Sequence, residues 1–335
     1  MRTLLGILLA LVLILAGAVY IFSDPDIARE TLEAKYTNEA SQFAMLADGT
    51  RMHYRDEGPR DAPVIVLVHG SNASLHTWEP WVSILKDRFR VVSLDLPAHG
   101  LTGATPKGDY STAAMAQSVR DLADQLGIGQ FAIAGNSMGG AVSAKFAETH
   151  PGRLTHLILI DSGGLPFEAG EGTPIGFRIA RMPVVNNLLL WITPRSFFVE
   201  GLGKAIEKKE ILTDAMIDRY WELARMEGSR GANRARFALA WDSEIADHLG
   251  EIDVPTLILW GKEDRLVPVS VAYEFEKRIP GSELIVYDGV GHIPMEEVPE
   301  RSAATVARVV LAEPVETVEV DATADEPEPE AEAEP

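Results

Sequence analysis

The sequence predicts an α/β fold built on a mostly parallel sheet with helices on both faces. Six apolar, β-branched runs recur along the chain: PVIVLVHG, RVVSLDLP, QFAIAGNS, LTHLILID, TLILWGKED and SELIVYDG. Continuous apolar runs of this length belong to strands buried on both faces, as in a parallel sheet. Between them stand amphipathic stretches such as TWEPWVSILKDRF and STAAMAQSVRDLADQLGI, which suit crossover helices. From Asp161 to Thr256 the rhythm stops: the interval holds no strand-like run and reads as helices punctuated by Pro and Gly. An inserted helical subdomain accounts for it better than a structureless loop of that length.

The elements at the two ends follow different rules. Residues 3–22, TLLGILLALVLILAGAVYIF, carry no charge, and twenty helical residues at ~1.5 Å each match the ~30 Å hydrocarbon thickness of a bilayer. This predicts an N-terminal transmembrane helix. The alternative is a signal peptide cleaved near Ala16-Gly17-Ala18, although VYIF prolongs the apolar run beyond that site. Arg2 stands on one side of the run, whereas Asp24, Asp26 and Glu30 with Arg29 stand on the other. The positive side therefore stays in the cytoplasm, and the body is expected on the extracytoplasmic, periplasmic side. Residues 23–40 read as a polar linker. SQFAMLADGTRMHYRDEG then reads as a hairpin turning at Asp48-Gly49.

At the other end, residues 313–335 hold ten acidic residues and no Lys, Arg or aromatic residue, which predicts a disordered tail. Those ten charges are half of the formal net charge of -20. The acidity argues against nucleic-acid binding. The absence of cysteine excludes disulfides, thiolate metal sites and a cysteine nucleophile. The expected plan is thus an anchor (1–22), a linker (23–40), an α/β core (41–164 and 251–312), a helical insertion (165–250) and the tail (313–335).

The chemistry centres on Gly135-Asn136-Ser137-Met138-Gly139, a G-x-S-x-G motif with strand-forming sequence before it and helix-forming sequence after it. A serine at that strand-to-helix turn is presented on a strained backbone, with helix N–H groups beside it. Serine is a weak nucleophile at neutral pH and needs a base that a third group orients. Down the chain, LILWGKEDRLVP supplies Asp264 past a strand end, and VYDGVGHIPMEE supplies His292 in the loop after the last strand. Asp161, at the end of LILID, is the rival acid. His53, His150, His156 and His248 read as surface or capping residues. His69 reads as structural, and Asp95 and His99 as turn-stabilising. Trp78 and Trp81 read as packing residues.

An oxyanion formed at Ser137 needs two preorganised donors. The backbone N–H of Met138 is one, and the backbone of Ser71 in HGSNAS is the other, with Asn72 as a supplement. Asn72, Asn136 and Ile293 are expected at the substrate.

Together these residues resemble the α/β-hydrolase fold family in its cap-bearing branch. HG-x-x-x-S, D-L-P-A-H-G, G-N-S-M-G-G, W-G-K-E-D-R-L-V-P and G-H-I-P-M-E-E-x-P stand in family order over residues 41–311. The resemblance implies eight strands, with residues 165–250 as a cap roofing the pocket. A serine at the elbow argues against dehalogenases and epoxide hydrolases, which use aspartate there.

G-N-S-M-G-G followed by D-S-G-G-L is similar to hydrolases that cleave carbon–carbon bonds in ring-fission products of aromatic degradation. HGSNAS, however, lacks their H-G-G-G-P-G loop, and Ile293 stands where they usually carry tryptophan. The expected activity is therefore hydrolysis of a hydrophobic carboxylic ester, with carbon–carbon cleavage as the alternative and haloperoxidase-like chemistry as a side activity. No metal or other cofactor is implied. Two readings of other classes are a ligand-binding protein without turnover and a membrane-tethered adaptor acting through its acidic tail.

In the insertion, Phe177, Ile179, Met182, Leu188, Leu189, Leu190, Trp191 and Phe197 are expected as acyl-pocket lining or, for most, as core between cap and sheet; NNLLLWI also suits a membrane contact, with a buried helix the simpler reading. Arg178, Arg181, Arg234 and Arg236 are expected to be solvated, or to meet an acidic group of the substrate.

Overall fold

A computed structural model describes Gly6, Gly17 and residues 23–167, 172–182, 184–239 and 244–313. The expected transmembrane segment and acidic tail lie outside these residues, apart from Gly6, Gly17 and Glu313. Among the described residues no helix is long and apolar enough to cross a membrane.

The chain enters through helix α1 (Arg29–Tyr36) and the hairpin β1 (Ser41–Met45) and β2 (Arg51–Glu57). It continues through β3 (Val64–Val68), α2 (Glu79–Leu85), β4 (Arg90–Leu94), α3 (Thr112–Gln125), β5 (Phe131–Asn136), α4 (Met138–Thr149) and β6 (Leu154–Ile160). The insertion follows, with helices α5 (Ile175–Ala180), α6 (Arg195–Ala205), α7 (Asp214–Ala224), α8 (Ser229–Phe237) and α9 (Glu244–His248), and a 3-10 turn at Val185–Leu190. The core resumes with β7 (Thr256–Gly261), α10 (Ser270–Arg278), β8 (Glu283–Tyr287), α11 (Pro294–Glu297) and α12 (Pro299–Val310).

The eight strands form one sheet in the order β1-β2-β4-β3-β5-β6-β7-β8. β1 with β2 and β2 with β4 are antiparallel, and the remaining pairs are parallel. Side chains alternate across a strand, so each apolar run divides between two cores. Val66, Val68, Ile133, Leu157 and Leu159 face one layer, packed with Met115 and Val119 of α3 and Phe146 of α4. Ile65, Leu67, Ala134, Ile158 and Ile160 face the other, packed with Trp78, Trp81 of α2 and Val306 of α12. Trp81 also donates from its indole to Ser302 Oγ at 2.8 Å.

Helix boundaries follow side-chain capping at two places. Ser111 Oγ accepts from Ala114 N at the start of α3, and Thr213 Oγ1 accepts from Met216 N at the start of α7. Strand order reverses at β3, whose neighbours β4 and β5 are reached by crossovers in opposite directions, and such a switch point opens a crevice at the strand C-termini.

Two expectations need correction. The segment expected as a linker carries α1, whose Leu32 is buried with Leu223 and Met226 of the insertion. Its polar residues are tied down by partners distant in sequence: Lys35 bonds Glu222 at 2.7 Å and Arg51 pairs with Glu33. His53, expected at the surface, is fully buried, with its Nδ1 2.7 Å from Asp95 Oδ2.

Asp95 is a structural hub. Its Oδ1 accepts from Leu75 N at 2.7 Å and its Oδ2 from Leu101 N at 2.8 Å, which joins the β3 and β4 loops. Burial alone would raise its carboxyl, but the charge and hydrogen bond of His53, with His69 and His76 nearby, hold it well below the usual carboxylate range.

A group depressed in this way stabilises the fold at pH above the unfolded aspartate value of about 3.9, and that contribution is lost as pH falls through the folded value. Asp95→Ala leaves two buried N–H groups and His53 without an acceptor, so urea unfolding at pH 7 should show a loss of about 3–5 kcal/mol. The gap between parent and variant should narrow below about pH 4; a constant gap down to pH 3 contradicts the ionised hub.

Candidate active site

Ser137 links β5 to α4 with φ 54° and ψ -119°, a conformation a non-glycine residue adopts only when its surroundings impose it. Both of its main-chain groups are held. Its N–H donates to Ile160 O at 3.0 Å, and its carbonyl accepts from Gly140 N at 3.0 Å and Gly163 N at 2.8 Å. Close packing requires glycine on either side: a Cβ on Gly135 would lie 2.1 Å from Gly139 O, and one on Gly139 would lie 2.1 Å from Val68 O. The motif's glycines therefore let β5, α4 and β3 approach within backbone contact while the serine stands at the helix N-terminus.

His292 lies in the loop after β8. Its Nδ1 is 2.7 Å from Asp264 Oδ2, and both residues are buried. Asp264 Oδ1 accepts from Leu266 N at 2.7 Å and Val267 N at 3.1 Å, which fixes the carboxylate after β7. With Nδ1 directed at the carboxylate, Nε2 is left for a partner on the cavity side. Ser137 and His292 both line that cavity. No hydrogen bond joins their side chains among the described residues.

Asp161, the rival acid, sits behind this pair. Polar atoms of Asp161, Asp264 and His292 lie within 4.8 Å of one another. Asp161 is fully buried at φ 43°; its Oδ1 accepts from Gly261 N at 2.9 Å, and its Oδ2 has no donor. Burial first, and then the negative charge of Asp264, push this carboxyl well above its ordinary value. In the sequence alone it stands as a competitor to Asp264. Its position one residue past the end of β6, beside β7 in the sheet, was the signal that it would adjoin Asp264.

The HGSNAS loop comes to the serine from β3. A Cβ on Gly70 would lie 3.1 Å from Ser137 Cβ, and Asn72, at φ 60°, lines the cavity together with Ser71. His69 braces the loop: its Nδ1 meets Gly70 O at 2.7 Å and its Nε2 accepts from Leu96 N at 3.0 Å. Arg236 of α8, expected to be solvated or on substrate, donates instead to Ser71 Oγ at 2.7 Å and contacts Met138 Sδ at 3.5 Å. Burial, with the charge of Arg181 adding to it, lowers this guanidinium to about 9. The insertion thus touches both residues expected to supply oxyanion donors.

The cavity measures about 160 Å³ and is walled on the insertion side by Phe177, Leu189, Phe197, Tyr220 and Phe237. Ile293 lines it as well. Asn136 also borders it but commits its amide to Ile160 O at 3.2 Å and His292 O at 2.9 Å, so it fastens the histidine loop and offers substrate no free amide. Arg234 lines the cavity with its guanidinium on Asn187 Oδ1 at 2.6 Å. Met182, Leu188 and Trp191, expected against pocket or core, are exposed to solvent.

Comparison with known proteins fixes the family. A family model of the alpha/beta hydrolase fold matches residues 63–299, and the chain belongs to that family. An uncharacterized protein of Mycobacterium tuberculosis is 31% identical over 282 residues, covering 80% of this chain and 81% of its own length. A 2-hydroxy-6-oxononadienedioate/2-hydroxy-6-oxononatrienedioate hydrolase of Pseudomonas putida is 29% identical over 268 residues, covering 76% of this chain and 90% of its own. Among solved structures, a bacterial membrane phospholipase A superposes with a TM-score of 0.70 at 24% identity, covering 93% of this chain and 99% of that one. That likeness is one of fold.

The raised Asp161 carboxyl gives a signed test. A group whose folded value is raised contributes stability that is fully present below the unfolded aspartate value of about 3.9 and is lost as pH rises through the folded value. Asp161→Asn carries a hydrogen-bond donor at every pH and escapes that loss. Its stability relative to the parent should therefore increase as pH rises from about 4.5 to about 8 in urea unfolding; parallel pH profiles contradict the raised carboxyl.

Proposed function

We propose that this protein is a serine hydrolase of hydrophobic carboxylic esters, with Ser137 as nucleophile, His292 as base and Asp264 as the group that orients it. The observation that carries the reading is the serine on a strained elbow facing the same apolar cavity as a histidine whose far nitrogen is held by a buried carboxylate.

In this mechanism His292 Nε2 takes the proton of Ser137 as Oγ bonds to the ester carbonyl carbon. The carbonyl electron pair moves onto oxygen, where the N–H groups of Met138 and Ser71 receive it. Asp264 holds the imidazole tautomer and stabilises its cation. Collapse of the intermediate expels the alkoxide, which takes the proton from His292. Water, deprotonated by His292, then attacks the acyl carbonyl carbon; the bond to Ser137 Oγ breaks, the acid leaves, and His292 returns the proton to Ser137. Asn72 and Ile293 border the acyl group, and residues 165–250 serve as the cap over it.

The runner-up, carbon–carbon hydrolysis of ring-fission products, draws on the named function of the Pseudomonas putida relative. It uses the same three residues on a vinylogous diketone acid. We further propose that residues 3–22 anchor the chain in a membrane with the catalytic body on the extracytoplasmic side; cleavage of a signal peptide at that segment is the alternative.

Steady-state hydrolysis of p-nitrophenyl esters of graded chain length, beside a vinylogous diketone acid, separates the readings. Turnover of esters that falls about 10⁴-fold in Asp264→Asn and more in Ser137→Ala supports the esterase. Turnover of the diketone acid alone moves the assignment to carbon–carbon cleavage. Tight binding of either class without turnover favours a binding protein, and unchanged turnover in Ser137→Ala rejects the nucleophile.

A further inference from the structure

Large apolar side chains left in solvent concentrate on one part of this molecule. Ile175, Met182, Val184, Val185, Leu188, Trp191 and Val199 are each at least 40% exposed, rising to 61% at Trp191 and 80% at Val184. Ile175 and Val199 lie on α5 and α6, Val185 and Leu188 on the 3-10 turn between them, and Met182, Val184 and Trp191 in the short connections; α5 packs on both α6 and the turn. Contiguous exposed apolar surface of this kind marks a docking face.

The charge of the segment departs from that of the chain. Residues 172–199 contain no Asp or Glu, in a protein of net charge -20, but carry Arg178, Arg181 and Arg195. Arg195 is paired with Asp214 and Asp218. Arg178 and Arg181 are exposed and have no carboxylate partner among the described residues. An apolar face rimmed by these exposed arginines complements an anionic lipid surface, to which each basic residue adds about 1 kcal/mol of attraction.

A third observation places that surface. The chain following residue 22 is strapped across the insertion. Asp24 N donates to Trp191 O at 3.1 Å, Arg230 pairs with Asp26 at 2.9 Å, Arg225 donates to Pro25 O at 2.9 Å, and Ile27 bridges to Met226. The uncharged run of residues 3–22 therefore ends two residues before a backbone hydrogen bond to Trp191. Two residues span at most about 7 Å. A bilayer that takes up residues 3–22 meets the protein on the Trp191 side of the cap.

We propose that the outer face of the cap, from Ile175 to Val199, docks on an anionic lipid leaflet, the same leaflet into which residues 3–22 insert. α5, α6 and the intervening turn then separate the lipid from the cavity: Phe177, Leu189 and Phe197 face inward from the elements that carry Ile175, Leu188 and Val199 outward. The pocket so placed takes an acyl chain from the leaflet across one layer of short helices. The proposal rests on the insertion of residues 3–22 and is independent of which bond the site cleaves.

The absence of cysteine makes the test direct. Single cysteines replacing Val184, Leu188 and, as the remote control, Tyr273 of α10 are labelled with an environment-sensitive fluorophore. The full chain is then mixed with vesicles of phosphatidylethanolamine and phosphatidylglycerol.

Docking predicts that the chain floats with the vesicles. The labels at 184 and 188 should lose quenching by aqueous iodide and gain quenching by nitroxide-bearing lipid, while the label at 273 stays open to iodide. Flotation with all three labels equally open to iodide overturns the cap face while leaving the anchor intact. Failure to float overturns both. Labels at 184 and 188 that are shielded from iodide and lipid alike, with Leu188→Cys cross-linking between two copies, assign the face to a homodimer and overturn the membrane.

Discussion

Ser137 is held with φ 54° and ψ -119° at the junction of β5 and α4, and the surrounding framework is organised to keep it there. A residue in such a conformation costs on the order of 1–3 kcal/mol and persists only where its neighbours over-determine it. Three strands do so. β5 leads into the turn, β6 supplies the Ile160 carbonyl that receives the serine N–H, and β3 runs close enough that Gly139 admits no side chain. The two apolar cores on either face of the sheet fix those strands, so the energy that holds the hydroxyl in the crevice comes from side chains far from it.

The second constraint joins the histidine loop to the insertion. His292 N donates to Ala205 O at 2.7 Å, at the end of α6. Glu297, buried in α11, accepts from Gly291 N, Glu207 N and Lys208 N, each within 2.9 Å, and Asn136 reaches across from the elbow to His292 O. On the opposite side Arg236 of α8 bonds Ser71. The insertion thus contacts both sides of the cavity through defined hydrogen bonds, so a rearrangement of α6 or α8 bears directly on the histidine and on the HGSNAS loop.

The sheet was legible in the sequence because its signal is local: β-branched runs of five to seven residues map one to one onto β3 to β8. The elbow, Asp264 and His292 were legible because each sits where a run ends. What escaped depended on contacts between residues distant in the chain. His53 lies in a short polar hairpin, and only the fold brings Asp95 beside it. Asp161 and Asp264 look like rivals until neighbouring strands place them side by side. The segment 23–40 reads as a linker because its few apolar residues gain their value only against the insertion. Within the insertion, apolar content predicted burial, whereas Leu188 and Trp191 face outward; composition does not distinguish an inner from an outer apolar face.

The central claim is that Ser137 attacks the substrate and carries its acyl group. Rapid quenching of the protein with a long-chain p-nitrophenyl ester, followed by mass analysis of the intact chain and its peptides, tests this directly. The account predicts a transient mass increase of one acyl group confined to the peptide containing Ser137, formed faster than steady-state turnover. Ester turnover with no adduct, or with an adduct on another residue, would contradict it.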